Sequence, residues 1–375
     1  MLPNGVEIKN RVVLAPMTEQ MSFQDGTVTL EEINYLQQRA GGVGLLITPV
    51  AYINREGKGF EGQLGADDDN KIAGLSRLSF AIKSRGAKAI LQIFSAGRMT
   101  NSYITRGLQP VSASAIAAPR DGASCPRELS GSEVKGVIQD FAEATRRAIQ
   151  AGFDGVELHG ANTYLLQQFV SPHSNRRTDQ WGGSLEKRLS FPLAVIDAVM
   201  EIKEKFADPT FIVGYRLSPE EIEDPGIQLT DTKYFINKLQ STDIDYIHVS
   251  MGNVWRTSMR DKSDNIPIIK QLKEVSTQKP IIAVGSIRTP EQAEEVMQNN
   301  IDFVALGHQL IIDPNWVEKV VSKQEESIRY HLHVADLDDL GVKPPFLEFI
   351  RDMPGFDILG LDDESKRKID NVTYL

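Results

Sequence analysis

The sequence predicts a one-domain α/β protein, a (β/α)8 TIM barrel with a long loop after the third strand and a C-terminal extension. Three observations predict it. Eight short β-branched or aliphatic runs alternate with longer stretches of helical periodicity. The runs are continuously apolar, which suits parallel strands covered on both faces better than half-exposed antiparallel ones. No linker or low-complexity stretch divides the 375 residues. A doubly wound sheet is the runner-up, but eight consecutive strand–helix units favour closure.

The units follow in order. "RVVLAP" (11–16) and "GLLIT" (44–48) are the first two strands, and Thr29-x-x-Glu32 between them fits a capping box. In that motif each side chain satisfies an otherwise unpaired backbone N–H. "AILQIF" (89–94) is the third strand. Residues 95–129 after it exceed an ordinary connection, the mark of a functional lid or interface. Ser130-x-x-Glu133, a second capping box, opens a helix in which Val134, Val137, Phe141, Ala144 and Ala148 recur at helical spacing. They make one apolar stripe for the barrel to cover. "GVELH" (155–159), "FIVGYR" (211–216), "YIHVS" (246–250), "IIAVG" (281–285) and "FVALG" (303–307) complete the eight. Thr289-Pro290-Glu291-Gln292 puts proline at a first helical position, where its missing donor costs nothing. The barrel is expected over 1–324. Residues 325–375, with "PPFLEFIRDMPGF", form an extension expected to pack on a neighbouring subunit of a homo-oligomer.

Composition narrows the function. The net charge of −10 and the absence of a Lys/Arg cluster argue against nucleic acid or an anionic membrane as partner. A single cysteine, Cys125, excludes a disulfide framework, a four-cysteine zinc site and a cysteine-ligated iron–sulfur cluster. No metal site is expected, and His331-x-His333 reads as a surface pair. No apolar run reaches membrane-spanning length, and "MLPNGVEIKN" lacks a signal-peptide core. A soluble, cytoplasmic protein is expected.

Such barrels work at the C-terminal ends of their strands. Pro16-Met17-Thr18 leave the first strand and Thr48-Pro49-Val50 the second, while Gln92 sits inside the third. His159 ends the fourth, with Asn162 and Tyr164 beyond it, and Arg216 ends the fifth. Gly285-Ser286 and Gly307-His308 end the seventh and eighth. Phosphate sites often lie after those two strands, where glycines let backbone N–H groups approach an anion. The plainer reading, that Gly285 and Gly307 only turn the chain, stands level with it. Gly57-Lys-Gly59-Phe-Glu-Gly62 matches a dinucleotide fingerprint on letters alone. It neither follows a strand directly nor opens a helix, so it reads as a flexible loop.

With these residues in place the chain resembles the Old Yellow Enzyme family of FMN-dependent oxidoreductases, in its single-barrel form. The likeness runs from "LPNGVEIKNRVVLAPMT" to "GHQLIIDPNW". Its strongest stretch is "SPHSNRRTDQWGGSLEKRLSFPLAV" (171–195), and "APMT", "LQIFSAGR" and "HGANTYL" fall in the family's order. The chain opens directly on the family's "LPNG", so a few leading residues are expected to be absent.

The resemblance implies FMN at the barrel mouth and NADH or NADPH as reductant. Pro16, Met17 and Val50 would offer backbone to the flavin ring and Thr18 a hydrogen bond near its C4 carbonyl. Gln92 would hold the pyrimidine edge. Arg216 would face N1 and the C2 carbonyl, where negative charge gathers on reduction. The phosphate would rest on Gly285, Ser286, Gly307 and His308. His159 and Asn162 would donate to the carbonyl oxygen of an α,β-unsaturated acceptor, and Tyr164 would protonate its α-carbon. The same pair would anchor the nicotinamide carboxamide, giving ping-pong kinetics.

Plainer readings stand beside these. His159 could be a satisfied core histidine, Tyr164 a packing residue, and Thr18 a group satisfying local backbone. Arg216 could pair with Glu220 or Glu221. Arg176, Arg177 and Trp181 are expected to order the loop after the fourth strand, and Asp67–Asp69 to start a helix in solvent. Ser95 stands where relatives carry histidine in H-A-G-R, and His308 replaces the frequent arginine, which removes a permanent cation from the phosphate site. Pro49 and Val50 also depart from the pattern. Other acceptors or donors are open: a quinone, nitro compound, dienoyl thioester or amine. A flavin-free phosphate-binding barrel is disfavoured, since no lysine or paired carboxylates sit at the strand exits. A degenerate binding barrel is disfavoured by the intact His159, Asn162 and Tyr164.

Overall fold

The computed structural model describes residues 1–351 and 358–360. Eight parallel strands close on themselves. They are β1 (Val12–Leu14), β2 (Leu45–Ile47), β3 (Lys88–Phe94), β4 (Gly155–Gly160), β5 (Ile212–Leu217), β6 (Tyr246–Val249), β7 (Ile281–Val284) and β8 (Phe303–Leu306). Each pairs with its neighbour in sequence, and β8 returns to β1 through Val12↔Val304. Closure leaves the ring without an open edge. Each expected run holds one strand, trimmed or extended by a residue or two.

The apolar runs follow from burial on two faces. Alternate residues, among them Val13, Leu45, Ile90, Ile212, Ile282 and Phe303, form one cluster inside the barrel. Their neighbours Leu14, Leu46, Leu91, Val156, Val213 and Val304 join the larger cluster against the helices. Leu2 and Val6 enter the inner cluster. Asn4 Nδ2 donates to the carbonyl of Thr210 at 3.3 Å, just before β5, so the N-terminal segment closes the bottom of the barrel.

The helices α1 (Leu30–Arg39), α2 (Ile72–Lys83), α3 (Gly131–Gln150), α4 (Leu165–Val170), α5 (Leu185–Phe206), α6 (Leu229–Gln240), α7 (Ile268–Val275) and α8 (Pro290–Gln298) surround the strands. α9 (His308–Ile312), α10 (Trp316–Val321) and α11 (Pro344–Arg351) follow β8. In α3 all five residues of the expected stripe are buried, each large one contributing about 2 kcal/mol. Its capping box is complete: Glu133 N–H donates to Ser130 Oγ at 3.3 Å, and Ser130 N–H to the Glu133 carboxylate at 2.8 Å. Thr289 and Gln292 reciprocate in the same way at α8. At α1 Thr29 Oγ1 accepts from Glu32 N–H at 3.2 Å, and the Glu32 carboxyl, which also faces the backbone of Thr29, accepts from Ser22 Oγ. Unlike the carboxyl at α3 it is buried, in a space under α1 that it shares with Glu19.

The 95–129 loop is tied down by the segment after β4. Arg177 Nη1 donates to the carbonyls of Ala113 and Leu129, and Arg176 N–H to Ser114 Oγ at 3.0 Å. These arginines therefore order two loops, not only their own. The glycine loop 57–62 opens no helix beyond one 3-10 turn (Arg55–Gly57), and it is tethered: buried Lys58 donates Nζ to Gln24 O at 2.6 Å. Asp68 caps a short 3-10 turn, and Asp69 pairs with Arg146 and Arg147. The described part of the extension packs on the same chain, where Arg39 Nη2 donates to Leu340 O at 2.9 Å. The rest of 325–375 lies outside the described residues. Among the described residues no helix is long and apolar enough to cross a membrane, and no acidic, histidine or cysteine cluster could hold a metal.

Candidate active site

A cleft opens at the C-terminal ends of the strands and holds about 650 Å³ of space between atoms, open solvent at its mouth included. Ten of the residues proposed from sequence line it. Pro16, Met17 and Thr18 come from the exit of β1, Val50 from that of β2, and Gln92 from within β3. His159, Asn162 and Tyr164 come from β4 and its exit, Arg216 from β5 and His308 from beyond β8. Gly285, Ser286 and Gly307 sit at the exits of the adjacent strands β7 and β8, outside this lining.

At the β4 exit the chain makes a turn that holds three polar groups apart. Asn162 and Thr163 both take left-handed backbone, at φ 54° and 64°. That conformation is costly for a β-branched residue such as Thr163. It is held by Asn162 N–H donating to Ser218 Oγ at 2.9 Å and Thr163 N–H to Gln167 Oε1 at 3.0 Å. His159 is buried, and burial followed by the charge of Arg216 holds its imidazole well below the usual histidine range. A neutral ring has one donor and one acceptor nitrogen. The N–H of Ala161 donates to Nδ1 at 3.2 Å, so the proton sits on Nε2. Tyr164 meets His159 and Phe94 edge-on at 5.0 and 4.8 Å. Burial pushes its phenol up to about 12, so it stays protonated at neutral pH.

Two positions the sequence reading passed over organise this group. Ser250, at the exit of β6, accepts from Arg216 Nη2 at 3.0 Å and donates to Asn162 Oδ1 at 2.9 Å. With its oxygen taken, Asn162 has only its amide N–H groups left to offer. Below them Glu157 is fully buried, accepting from Gln92 Nε2 at 2.6 Å and facing His248 Nδ1 at 3.0 Å. Burial alone would raise the Glu157 carboxyl, but His248, Arg216 and Gln92 together hold it below the usual range. Burial also keeps His248 below its usual range despite Glu157. Glu157, His248 and Arg216 thus form one buried charged group, in which Arg216 is the permanent cation. The alternative pairing of Arg216 is not adopted: Glu220 bonds Arg256 and Ser258, and Glu221 bonds Gln167 and Ser171. Ser250 was legible as the polar residue that ends "YIHVS", and Glu157 as the one charge in an otherwise apolar strand.

At the β7–β8 end Gly285 has φ 136°, open to glycine, and a Cβ there would lie 2.7 Å from Met251 O. Ser286 follows at φ 53°, with Oγ donating to Gly252 O at 2.7 Å. Burial, and then the nearby charge of Arg288, lowers the His308 imidazole. The charge of Arg288, in the segment after β7, therefore reaches His308.

A family profile described as the NADH:flavin oxidoreductase / NADH oxidase family matches residues 3–327. The chain is 43% identical over 390 aligned positions to an NADH:fumarate oxidoreductase of Klebsiella pneumoniae, covering 99% of this chain and 42% of that protein. It is 41% identical to a probable NADH-dependent flavin oxidoreductase of Bacillus subtilis, covering 94% and 95% of the two chains. It thus spans less than half of the first relative and nearly all of the second. Among solved structures, morphinone reductase in complex with tetrahydroNAD superposes with a TM-score of 0.73 at 27% identity, covering 86% of this chain and 89% of that one.

Proposed function

The chain belongs to the NADH:flavin oxidoreductase / NADH oxidase family of FMN-binding enzymes, and we propose that it reduces activated alkenes with electrons taken from NADH or NADPH. The observation that carries this reading is the convergence of the His159 Nε2–H, the Asn162 amide and the Tyr164 hydroxyl on one cavity. The residues present fit FMN. Arg216 has a buried Nε with no protein partner among the described residues, a cation and donor suited to the electron-rich edge of a flavin. Gln92 adds an amide, and the exits of β7 and β8 offer glycine backbone, Ser286 and His308 beside Arg288 for a phosphate. When bound, FMN supplies the two-electron store that couples nicotinamide oxidation to reduction of the acceptor.

The protein's own part is binding, polarisation and proton delivery. His159 Nε2–H and the Asn162 amide donate to the acceptor's carbonyl oxygen, drawing electron density from the β-carbon. They also stabilise the enolate that forms, as an oxyanion hole does. Tyr164, still protonated, gives its proton to the α-carbon. Fumarate, named for the Klebsiella relative, is itself such an alkene. A nicotinamide carboxamide offers the same pair a carbonyl, so reductant and acceptor take turns. A net charge of −10 fits small-molecule partners rather than nucleic acid, and a cytoplasmic homo-oligomer completes the reading.

A second reading is favoured by the near-complete alignment of this chain within 42% of the fumarate oxidoreductase. There the same domain would oxidise NADH and pass electrons to a further domain or protein. One experiment separates the two. The purified protein should be yellow, bleach anaerobically with NADH or NADPH, and regain colour on adding 2-cyclohexenone or fumarate. Bleaching without recovery favours onward transfer. A colourless protein that takes up no added FMN ends both readings.

A further inference from the structure

The chemistry proposed above leaves α11 unused, yet that helix reaches the cavity. Phe346, Phe349 and Ile350 form a stripe at helical spacing, and all three line the cleft that holds His159 and Tyr164. Phe346 and Ile350 are fully buried, while Phe349 is half-buried. The helix is fixed from below by α1. Arg39, itself buried, donates to Leu310 O and Leu340 O at 2.9 Å and lies 3.4 Å over the ring of Tyr35. Tyr35 in turn meets Phe346 edge-on at 5.4 Å. Phe349 meets Phe60 edge-on at 6.3 Å, and Phe60 meets Tyr164 at 6.5 Å. An aromatic arc thus runs from α11 to Tyr164.

We propose that Phe349, backed by the ring of Phe60, sets acceptor specificity as a fixed wall that admits small flat acceptors and excludes those with bulk beyond the carbonyl. The proposal rests on the reading that this cavity takes the acceptor. A nicotinamide ring, small and planar, passes the same wall. The anchoring argues for a wall rather than a flap: a buried guanidinium with several carbonyl partners is costly to expose. Phe349 is the member of the stripe that can be trimmed without opening the core.

The test measures dissociation constants of phenol and 4-phenylphenol on the flavin-loaded protein, by perturbation of the flavin absorbance. Phe349→Ala should raise affinity for 4-phenylphenol about tenfold relative to phenol, the scale of removing a few methylene equivalents from a pocket. Phe349→Trp should move the ratio the other way. If Phe349→Ala does not fold, Phe60→Ala removes the ring that backs Phe349 from a loop outside α11 and must shift the ratio in the same direction. An unmoved ratio in flavin-loaded variants overturns the wall alone. Wild-type protein that binds no flavin, or flavin but no phenol, overturns the reading of the cavity and the wall with it.

Discussion

At the scale of single residues, the site depends on which hydrogen each polar group can give. His159 offers Nε2–H because Ala161 has taken Nδ1, and Asn162 offers its amide hydrogens because Ser250 has taken its oxygen. Replacing either donor by alanine should cost about 1–3 kcal/mol of ligand binding, a ten- to hundredfold weaker phenol complex, with flavin still bound. Unchanged phenol titrations in both variants would rule out the clamp. Ser250→Ala tests the arrangement from behind. Asn162 would be free to rotate and Arg216 would lose a partner, so phenol affinity should fall and the flavin potential should shift, with Ser250→Thr restoring both. Spectroelectrochemical titration reads the potential; a Ser250→Ala protein identical to wild type in both respects would show that the serine only fills space. His159 and Tyr164 were legible from their place at a strand exit. Ser250 was legible only as a polar residue ending a strand; its role was not, because a serine there is ordinary until its two neighbours are known.

At the scale of elements, period and capping carried most of the information. Continuous apolar runs marked the strands because both barrel faces are dry, and a reciprocal Ser–Glu pair marked the start of α3. That pair gives a direct expectation: Ser130→Ala should lower stability by about 1 kcal/mol in urea unfolding, with flavin binding unaffected. A loss within experimental error would mean that solvent caps α3 equally well. The same signal at Thr29–Glu32 marked the start of α1 correctly, but letters cannot tell that its glutamate would also be buried beneath the helix. The short pairings Val111–Ser112 with Arg127–Glu128 inside the 95–129 loop were also out of reach, being two residues long and set by Arg177 from a distant segment. The arrival of α11 at the cavity depends on contacts between Arg39 and Leu340, about three hundred residues apart, which no local pattern records.

At the scale of the whole molecule, the group beneath α1 couples stability to pH. Burial lifts the Glu32 carboxyl from its usual range to about 7, and Glu19, buried and facing both Glu32 and Arg39, is raised as well. A carboxyl raised on folding contributes stability that is complete below about pH 4.5 and is lost as pH climbs through about 7. Glu32 alone should therefore cost the fold roughly 3 kcal/mol between those limits. Glu32→Gln should flatten that slope and leave the variant more stable than wild type above pH 7; urea midpoints at pH 5 and pH 8 decide it, and parallel profiles would contradict it. The buried layer of Gln92, Glu157, Arg216 and His248 has a further consequence. Gln92 stands opposite Glu157, and Arg216 opposite His248, across neighbouring strands. Valine, leucine and isoleucine would tolerate a slipped strand, but a slip of one place would turn Glu157 out among the helices with nothing to answer its charge. The ring of strands thus carries its own proofreading: a wrongly threaded barrel cannot conceal the anion at its centre.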